Sequence, residues 1–236
     1  MSFLIEVHVN EGIVLASDRR TTYTNTQSVN GIRVEKIGIH TTNSTDKTFT
    51  CPNGTGISTC GDATLLGKPI TGFIKDMIRS RIDKNCDVES VPGIIVDYFN
   101  QLPYVPNTSF IVAGYQNTHE GKKQRIYIVR VKTGEINPIN TSNQGASWEG
   151  EILPLTRLLQ NVAVKNGDGT YADLPFEEIL WEYFTLQDAI DFARYAVETT
   201  IQTMRFKNVV ETVGGDVDIL VITPDETKWL QKAELK

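Results

Sequence analysis

Residues 10–22 read NEGIVLASDRRTT, and this stretch does more than any other to decide how the chain is interpreted. An Asn-Glu-Gly turn signal at its start separates two apolar, β-branched runs, Phe3 to Val9 and Ile13 to Ser17, and therefore predicts a β-hairpin. The second run ends on Asp18, which two arginines follow. Charges at the end of a strand are usually solvated, but a buried carboxylate with a cationic partner also fits this pattern.

Strand and helix signals follow along the rest of the chain. Runs with a two-residue period predict strands, and apolar residues that recur at three- and four-residue steps predict helices. The predicted elements are, in order, strand Val34 to His40; a hairpin of Thr48 to Cys51 and Gly56 to Thr59; helices from Asp62 to Ile82 and from Val91 to Leu102; a meander of Ser109 to Tyr115, Arg125 to Val131 and Glu135 to Ile139; a helix from Ile152 to Val164; a helix that a capping box opens at Thr185 to Asp188; and strand Val217 to Ile222.

The order of these elements predicts the fold class. Strands, two helices, strands, two helices and a final strand do not follow the strict alternation of a parallel βαβ protein. They fit an α+β fold in which helix pairs pack outside two antiparallel sheets. No repeat, low-complexity segment or linker interrupts the sequence, so residues 1–236 are expected to form one domain.

Composition argues against several classes of protein. The chain has 236 residues, 40% of them hydrophobic, which is enough for a core without metals or disulfides. The 29 acidic side chains outnumber the 23 basic ones and no basic run exceeds Lys122-Lys123, so no nucleic-acid or membrane partner is expected. Three cysteines without metal-type spacing suggest a reducing compartment. With no signal peptide and no apolar run of about 18–20 residues, the expected location is cytoplasmic.

Two familiar functional motifs are incomplete. Residues 145–149 (GASWE) lack the second glycine of a nucleophile elbow, and residues 166–171 (NGDGTY) lack the glycine of a calcium-binding loop. No glycine-rich loop precedes a helix in the manner of a phosphate-binding site. The sequence therefore predicts neither a metal nor a cofactor.

Lys36 is unusual because it lies inside an apolar predicted strand, between Val34 and Ile37. A lysine in this position is either solvated or paired with a buried carboxylate. If it is buried beside Asp18, the two residues form a partly desolvated ion pair, which needs a reason in stability or in chemistry.

The stretch from Asn10 to Thr22 resembles the opening of proteasome-type β subunits, a family of N-terminal-nucleophile (Ntn) hydrolases. Three further features agree with the family in order: Lys36-Ile37, the turn Thr59-Cys60-Gly61-Asp62 before a helix, and a Gly-Gly-x-Val-Asp strand at Gly214 to Asp218. The resemblance implies a four-layer αββα sandwich of two antiparallel sheets flanked by helix pairs. It also implies a homo-oligomer, either a ring or a helical assembly.

In that family the first residue of the mature subunit is the nucleophile, which the resemblance places at Ser2 after removal of Met1. The free α-amine, with an ordinary pKa of about 7.7–8.0, can then act as the base, and a nearby ammonium lowers its pKa further. A glycine N–H would form the oxyanion hole, and an extended peptide would pair with the site as an added strand. The resemblance thus gives catalytic roles to Ser2, Asp18, Lys36, Gly61 and Ser147, and substrate-binding roles to Thr22, Val34, Gly38 and Thr59.

The chain also departs from the family pattern. The interval from Ser2 to Lys36 is longer than usual, which places an insertion in the Asn25 to Ile32 loop. Val210 and Val213 occupy the positions of an aspartate and a serine in active members. Three functions therefore remain open: a peptidase acting on peptides or unfolded proteins, a non-catalytic subunit of the same kind of assembly, and a small-molecule Ntn amidohydrolase.

Overall fold

The computed structural model describes residues 2–30 and 32–233. Its strands are β1 (Phe3–Val9), β2 (Gly12–Asp18), β3 (Thr21–Val29), β4 (Ile32–Thr42), β5 (Thr48–Thr50), β6 (Gly56–Gly61), β7 (Thr64–Leu65), β8 (Lys68–Pro69), β9 (Thr108–Thr118), β10 (Gly121–Arg130), β11 (Glu135–Pro138), β12 (Gly145–Gly150), β13 (Ala163–Lys165), β14 (Tyr171–Asp173), β15 (Val217–Ile222) and β16 (Thr227–Gln231). Its α-helices are α1 (Ile70–Arg81), α2 (Val91–Asn100), α3 (Leu153–Leu159) and α4 (Leu186–Arg205). None of the described helices is long and apolar enough to cross a membrane.

Two five-stranded sheets contain most of the strand residues. The first has the order β12-β1-β2-β15-β16, and the second has the order β11-β10-β9-β6-β5. Every pairing within both sheets is antiparallel. The predicted α+β class with antiparallel sheets is therefore confirmed.

Three apolar clusters hold these elements together. Successive side chains of a strand point to opposite faces of the sheet, so the side chains of β2 belong alternately to two of these clusters. Val14 and Ala16 belong to a first cluster, which contains the inward residues of α4, including Ala193. Ile13 and Leu15 point to the opposite face and belong to a cluster made of residues from both sheets. A further cluster joins the second sheet to α1 and α2. Because both faces of β2 are covered, every residue of that strand is buried.

Most predicted elements are present, and the differences have local causes. The capping box of Thr185 and Asp188 opens α4 as predicted. The first helix begins at Ile70 rather than at Asp62, because Pro69 lacks an N–H and the residues before it form the β7–β8 hairpin. The helix predicted from Ile152 to Val164 ends at Leu159, and β13 follows it. The prediction that β15 closes the fold is wrong, since β16 pairs with it.

The structure differs most from the sequence prediction in the segment that connects β2 of the first sheet to β5 of the second sheet. The predicted strand Val34 to His40 is present within β4, but the segment from Asn25 to Ile32, predicted as an inserted loop, belongs to a long antiparallel ribbon of β3 and β4. Among the strands in the described part of the chain, each of these two pairs only with the other. This pair is called the ribbon below.

Candidate active site

A cleft with about 410 Å³ of empty space, partly open to solvent, lies where β2 passes into β3 and where β6 ends. Most of the residues that line it have polar side chains, and five of them are threonines. It is lined by Ser2, Thr21, Thr22, Thr45, Asp46, Lys47, Thr59, Cys60, Gly61, Asp62, Ala63, Ile70 and Thr71. Four of the residues predicted from the sequence, Ser2, Thr22, Thr59 and Gly61, therefore meet at one place.

Asp18 lies behind this cleft and is fully buried at the end of β2. Its Oδ1 accepts hydrogen bonds from the Phe3 N–H at 3.0 Å and from the Lys47 ammonium at 2.7 Å. Its Oδ2 accepts from the N–H groups of Arg20 and Gly214, at 3.1 and 2.9 Å. Both oxygens of the buried carboxylate are thus satisfied, as a charge removed from water requires.

Lys47 is the cation of this site. Its side chain is almost completely buried, and its carbonyl accepts from the Thr59 N–H at 2.8 Å. Burial lowers the pKa of Lys47, while the charge and hydrogen bond of Asp18 oppose that shift. Since Asp18 Oδ1 binds both nitrogens, the Lys47 ammonium lies within about 6 Å of the backbone nitrogen that follows Ser2.

The prediction that Lys36 forms the buried pair with Asp18 is wrong. Lys36 lies in the ribbon opposite Asn25, and it is exposed. The physical reason is that β4 belongs to neither sheet, so the apolar neighbours of Lys36 do not place it in a core. Lys47, eleven positions later, provides the cation instead.

Ser2 is 7% exposed and lines the cleft. Its carbonyl accepts from the Glu151 N–H at 2.8 Å, which fixes the start of β1 against the end of β12. A Cβ on Gly150 would lie 1.9 Å from that carbonyl oxygen, and Gly150 has a φ of +93°. Only glycine fits there, so Gly150 is a residue of the site that the sequence analysis did not identify.

Three predicted residues line the cleft with defined geometry. Gly61 has a φ of +124°, and a Cβ there would come within 2.3 Å of the Asn107 carbonyl oxygen. The Thr59 hydroxyl donates to the Ser109 carbonyl at 3.3 Å. The Thr22 hydroxyl donates to the Glu211 carbonyl, also at 3.3 Å. Both threonine hydroxyls at the cleft wall thus donate to backbone carbonyls.

The structure does not place Val34 and Gly38 in the cleft wall, so their prediction as a side pocket is wrong. Both residues lie on β4, where Val34 is 37% exposed and Gly38 adopts a φ of +75°. The resemblance gave them this role together with Thr59. A Cβ at Gly38 would lie 3.9 Å from the Thr22 side chain, so Gly38 is next to a residue of the cleft wall although it does not line the cleft itself. The cleft wall beyond Thr59 is formed by Ala63, Ile70 and Thr71 instead.

Ser147 also lies away from the cleft. It is opposite Glu6 in the pairing of β12 with β1 and does not line the cleft, so the structure gives its predicted catalytic role no support. The part of β12 that meets Ser2 is its end, at Gly150. Ser147 comes three residues before Gly150 in β12 and therefore does not reach the end of the strand that meets Ser2.

The loop before β15 supplies backbone groups rather than side chains to Asp18. Val213 is buried in the cluster beneath α4, and Val210 is exposed. The Glu211 carboxylate accepts from Arg20 at 2.5 Å. Thr212 is buried, and its hydroxyl has no partner among the described residues. Among the described residues, no hydroxyl or carboxylate of this loop hydrogen-bonds to Asp18.

Arg19 orders the segment that leads to Lys47. Its buried guanidinium donates to Asp218 at 2.7 Å, to Asp46 at 3.1 Å and to the Ser44 carbonyl at 3.2 Å. Asp46 directly precedes Lys47, so this network fixes the backbone from which the lysine extends. A buried arginine with two carboxylates could not be recognised in the sequence, because Asp218 is far away along the chain.

Cys60 is the thiol of the cleft. It is buried, and burial, with the negative charge of Glu149, raises its pKa to about 12. The protonated thiol is a poor nucleophile at neutral pH. The serine at position 2 is therefore the better candidate for covalent chemistry. Among residues 2–30 and 32–233, no group of three or more histidine, cysteine or carboxylate side chains could hold a metal ion.

The fold is similar to that of a solved structure. The structure is that of Anbu from Hyphomicrobium sp. strain MC1, with a TM-score of 0.56 and 12% sequence identity. The similarity covers 98% of this chain and 88% of the Anbu chain. No protein-family model and no curated protein matches the sequence. At this identity the comparison shows a shared fold.

Proposed function

We propose that the chain is an Ntn hydrolase of the proteasome type, with Ser2 as nucleophile once Met1 is removed. Its two sheets and outer helices would form the αββα sandwich of that class, and residues 1–236 would form one domain. The observation that supports this most directly is Asp18, whose one oxygen binds both the Lys47 ammonium and the amide next to Ser2. The fold similarity to Anbu supports the same class.

In this proposal the Ser2 hydroxyl attacks the carbonyl carbon of an amide, and its proton passes to the free α-amine of the same residue. The Lys47 ammonium lowers the pKa of that amine by like-charge repulsion, which increases its basic fraction near neutral pH. The Gly61 N–H stabilises the oxyanion. The protonated amine then donates its proton to the leaving nitrogen as the C–N bond breaks.

The acyl group remains on Ser2 as an ester after this first step. A water molecule attacks the ester carbonyl, and the α-amine accepts a proton from that water. As the ester C–O bond breaks, the α-ammonium returns this proton to Ser2 Oγ, which regenerates the hydroxyl and the free amine, and the carboxylic acid product leaves. Asp18 takes no proton in either step; it holds Lys47 charged and in place.

Intact-mass measurement of the native protein tests this proposal first. We expect a mass that lacks Met1, and one covalent adduct per chain after treatment with a β-lactone that acylates N-terminal nucleophiles. Ser2→Ala should abolish the adduct and Ser2→Thr should retain it. Ser142→Ala is the matched control, because Ser142 is an exposed serine outside the cleft. Retained Met1, or an adduct that persists in Ser2→Ala, would contradict the proposal.

A non-catalytic subunit of the same architecture is the second candidate. It is favoured by Val213, which packs beneath α4 where active members carry a serine. This candidate predicts assemblies in negative-stain micrographs, no reaction of Ser2 with the β-lactone and no turnover of a peptide panel. Cleavage that depends on Ser2 would exclude it.

We further propose that copies of the chain assemble with each other. Exposed apolar side chains are frequent around α3 and in the segment that follows it, and a surface of this kind is typical of a protein contact. They include Leu153, Leu158, Val164, Tyr171, Leu174, Leu180 and Tyr183. Light scattering of the purified protein tests this, and a monomeric mass at micromolar concentration would contradict it.

A further inference from the structure

Apart from Thr21 and Thr22 at its base, the ribbon takes no part in the proposed cleft chemistry. Its strands span Thr21–Val29 and Ile32–Thr42 and, among the described strands, pair only with each other. A hairpin of two strands is at best marginally stable in water without a third strand or a packed helix. The ribbon therefore lacks, within the described chain, the third layer that such a hairpin needs.

The described side chains of β4 give the ribbon a mixed surface, in which branched apolar residues stand beside the exposed Lys36 and His40. Ile32 is 67% exposed, Val34 is 37% exposed and Ile39 is 55% exposed. Ile32 and Val34 are two residues apart, so they share one face of the strand. Branched apolar side chains held in water on a narrow ribbon favour contact with other apolar side chains.

The base of the ribbon lies at the cleft. Its first two residues, Thr21 and Thr22, line the cleft together with Ser2, and β4 ends shortly before Thr45, which also lines it. The outer edges of β3 and β4 carry backbone N–H and C=O groups that pair with no other described strand. An extended chain can add to such an edge as a further strand.

We propose that the ribbon binds extended, unfolded polypeptide by strand addition and lengthens the substrate site of the cleft. This rests on the proposed hydrolase function. The nine residues of β3 span about 30 Å, so the site fits a segment of similar length. Ile32 and Val34 would contact apolar side chains of that segment. Long apolar polypeptides would therefore be the preferred substrates.

The test compares two peptides with the same cleavable sequence, a short one that fills the cleft and one extended by about nine residues with apolar side chains. For the protein with the complete ribbon, kcat/KM should be about tenfold or more higher for the long peptide. The truncated variant replaces residues 24–39 by Asn-Gly, so that Tyr23 and His40, which already pair with stacked rings, close a tight hairpin. Its ratio of long to short kcat/KM should fall to about one.

A pair of point variants separates the ribbon from a general loss of exposed apolar surface. Ile32→Ser with Val34→Ser should lower the same ratio severalfold. Ile136→Ser with Leu230→Ser is the matched control, because both residues are exposed and lie on edge strands of the two sheets. The control should keep the ratio of the unaltered protein. An unchanged ratio in the truncated variant would overturn the proposal.

Binding in the absence of cleavage distinguishes failure of this inference from failure of the hydrolase proposal. Ser2→Ala protein is titrated with fluorescein-labelled, reduced and carboxymethylated α-lactalbumin, followed by anisotropy. The truncation should raise Kd about tenfold even if no peptide is ever cleaved. If Kd is unchanged while light scattering shows a smaller assembly, the ribbon joins copies of the chain and the inference is wrong.

Discussion

The carboxylate of Asp18 holds the ammonium of Lys47 at 2.7 Å, and both side chains are almost completely shielded from water. Asp18 is the last residue of β2 in the first sheet, and Lys47 immediately precedes β5 of the second sheet. The ion pair therefore joins the two sheets at the cleft. Such a pair is costly to desolvate, so its position behind Ser2 is a reason to assign it to chemistry.

Replacement of Lys47 by methionine tests that assignment. Lys47→Met removes the charge that lowers the pKa of the Ser2 amine, so the rate of acylation by the β-lactone near pH 7 should fall by up to about tenfold, because an amine with its ordinary pKa of about 7.7–8.0 is only about one-tenth basic at that pH. Lys36→Met is the matched control, because Lys36 is an exposed lysine on the ribbon. It should react at the rate of the unaltered protein. Both rates are measured by quenching the reaction with the β-lactone at a series of times and determining the acylated fraction by intact mass.

The same substitution leaves the Asp18 carboxylate buried without its cation, which costs about 3–5 kcal/mol. Asp18→Asn with Lys47→Met removes both charges and should recover part of that loss in urea unfolding. This double variant should fold and should react more slowly than the unaltered protein if Lys47 acts in catalysis. A double variant that reacts as fast as the unaltered protein would contradict the catalytic role of the pair.

The first sheet was predictable because its signals are local. The turn at Asn10 to Gly12 and the apolar run that follows it fix β1 and β2, and they place Asp18 at the end of a buried strand. The hairpin around Pro52 to Gly54 was equally local, and β5 pairs with β6 as expected. Both predictions needed only turn chemistry and a two-residue period.

Lys47 was also within reach of the sequence, through the register of that hairpin. Thr50 lies opposite Gly56 and Thr48 lies opposite Ser58, so Lys47 must lie opposite Thr59. Since Thr59 was already assigned to the site, counting along the hairpin leads to Lys47. Comparison of intervals with the family led to Lys36 instead, because the length of the ribbon could not be inferred from its sequence.

Other parts of the site depend on contacts between residues that are distant in sequence. The pairing of Arg19 with Asp218 and the meeting of Ser2 with Gly150 depend on how β2 meets β15 and how β1 meets β12. Local patterns do not determine which strands become neighbours in a sheet. These contacts could be found only once the strand order was known.

Substitution of Gly150 should disable the site without removing any functional group. A Cβ at Gly150 would lie 1.9 Å from the Ser2 carbonyl oxygen, so Gly150→Ala must displace Ser2 or the end of β12. We expect acylation of Ser2 to fall at least about tenfold, since small misplacements of reacting groups are costly. Gly72→Ala is the matched control, because a Cβ there meets nothing within 4 Å in α1. It should leave the rate unchanged and raise stability by about 0.5–1 kcal/mol.

A second buried pair, Glu6 and His8, makes stability depend on pH. His8 Nδ1 lies 2.8 Å from a Glu6 carboxylate oxygen, and its Nε2 lies 2.9 Å from the Asn143 carbonyl. Burial acts to lower the pKa of His8, but the hydrogen bond and charge of Glu6, together with backbone carbonyls, outweigh it and raise the pKa. Burial raises the pKa of Glu6, which His8 opposes. The folded protein therefore holds protons that the unfolded chain releases.

The free energy of unfolding should accordingly fall as pH rises. The stabilisation by His8 is complete below its unfolded pKa of about 6.5 and is lost as pH rises through the higher folded value, at up to about 1.4 kcal/mol per pH unit. Urea unfolding at several pH values from about 6 to 9 measures this slope. Glu6→Gln with His8→Gln removes both titrations and should flatten it, whereas His119→Gln, at an exposed histidine, should not. A slope that persists in the double variant would show that other groups cause the pH dependence.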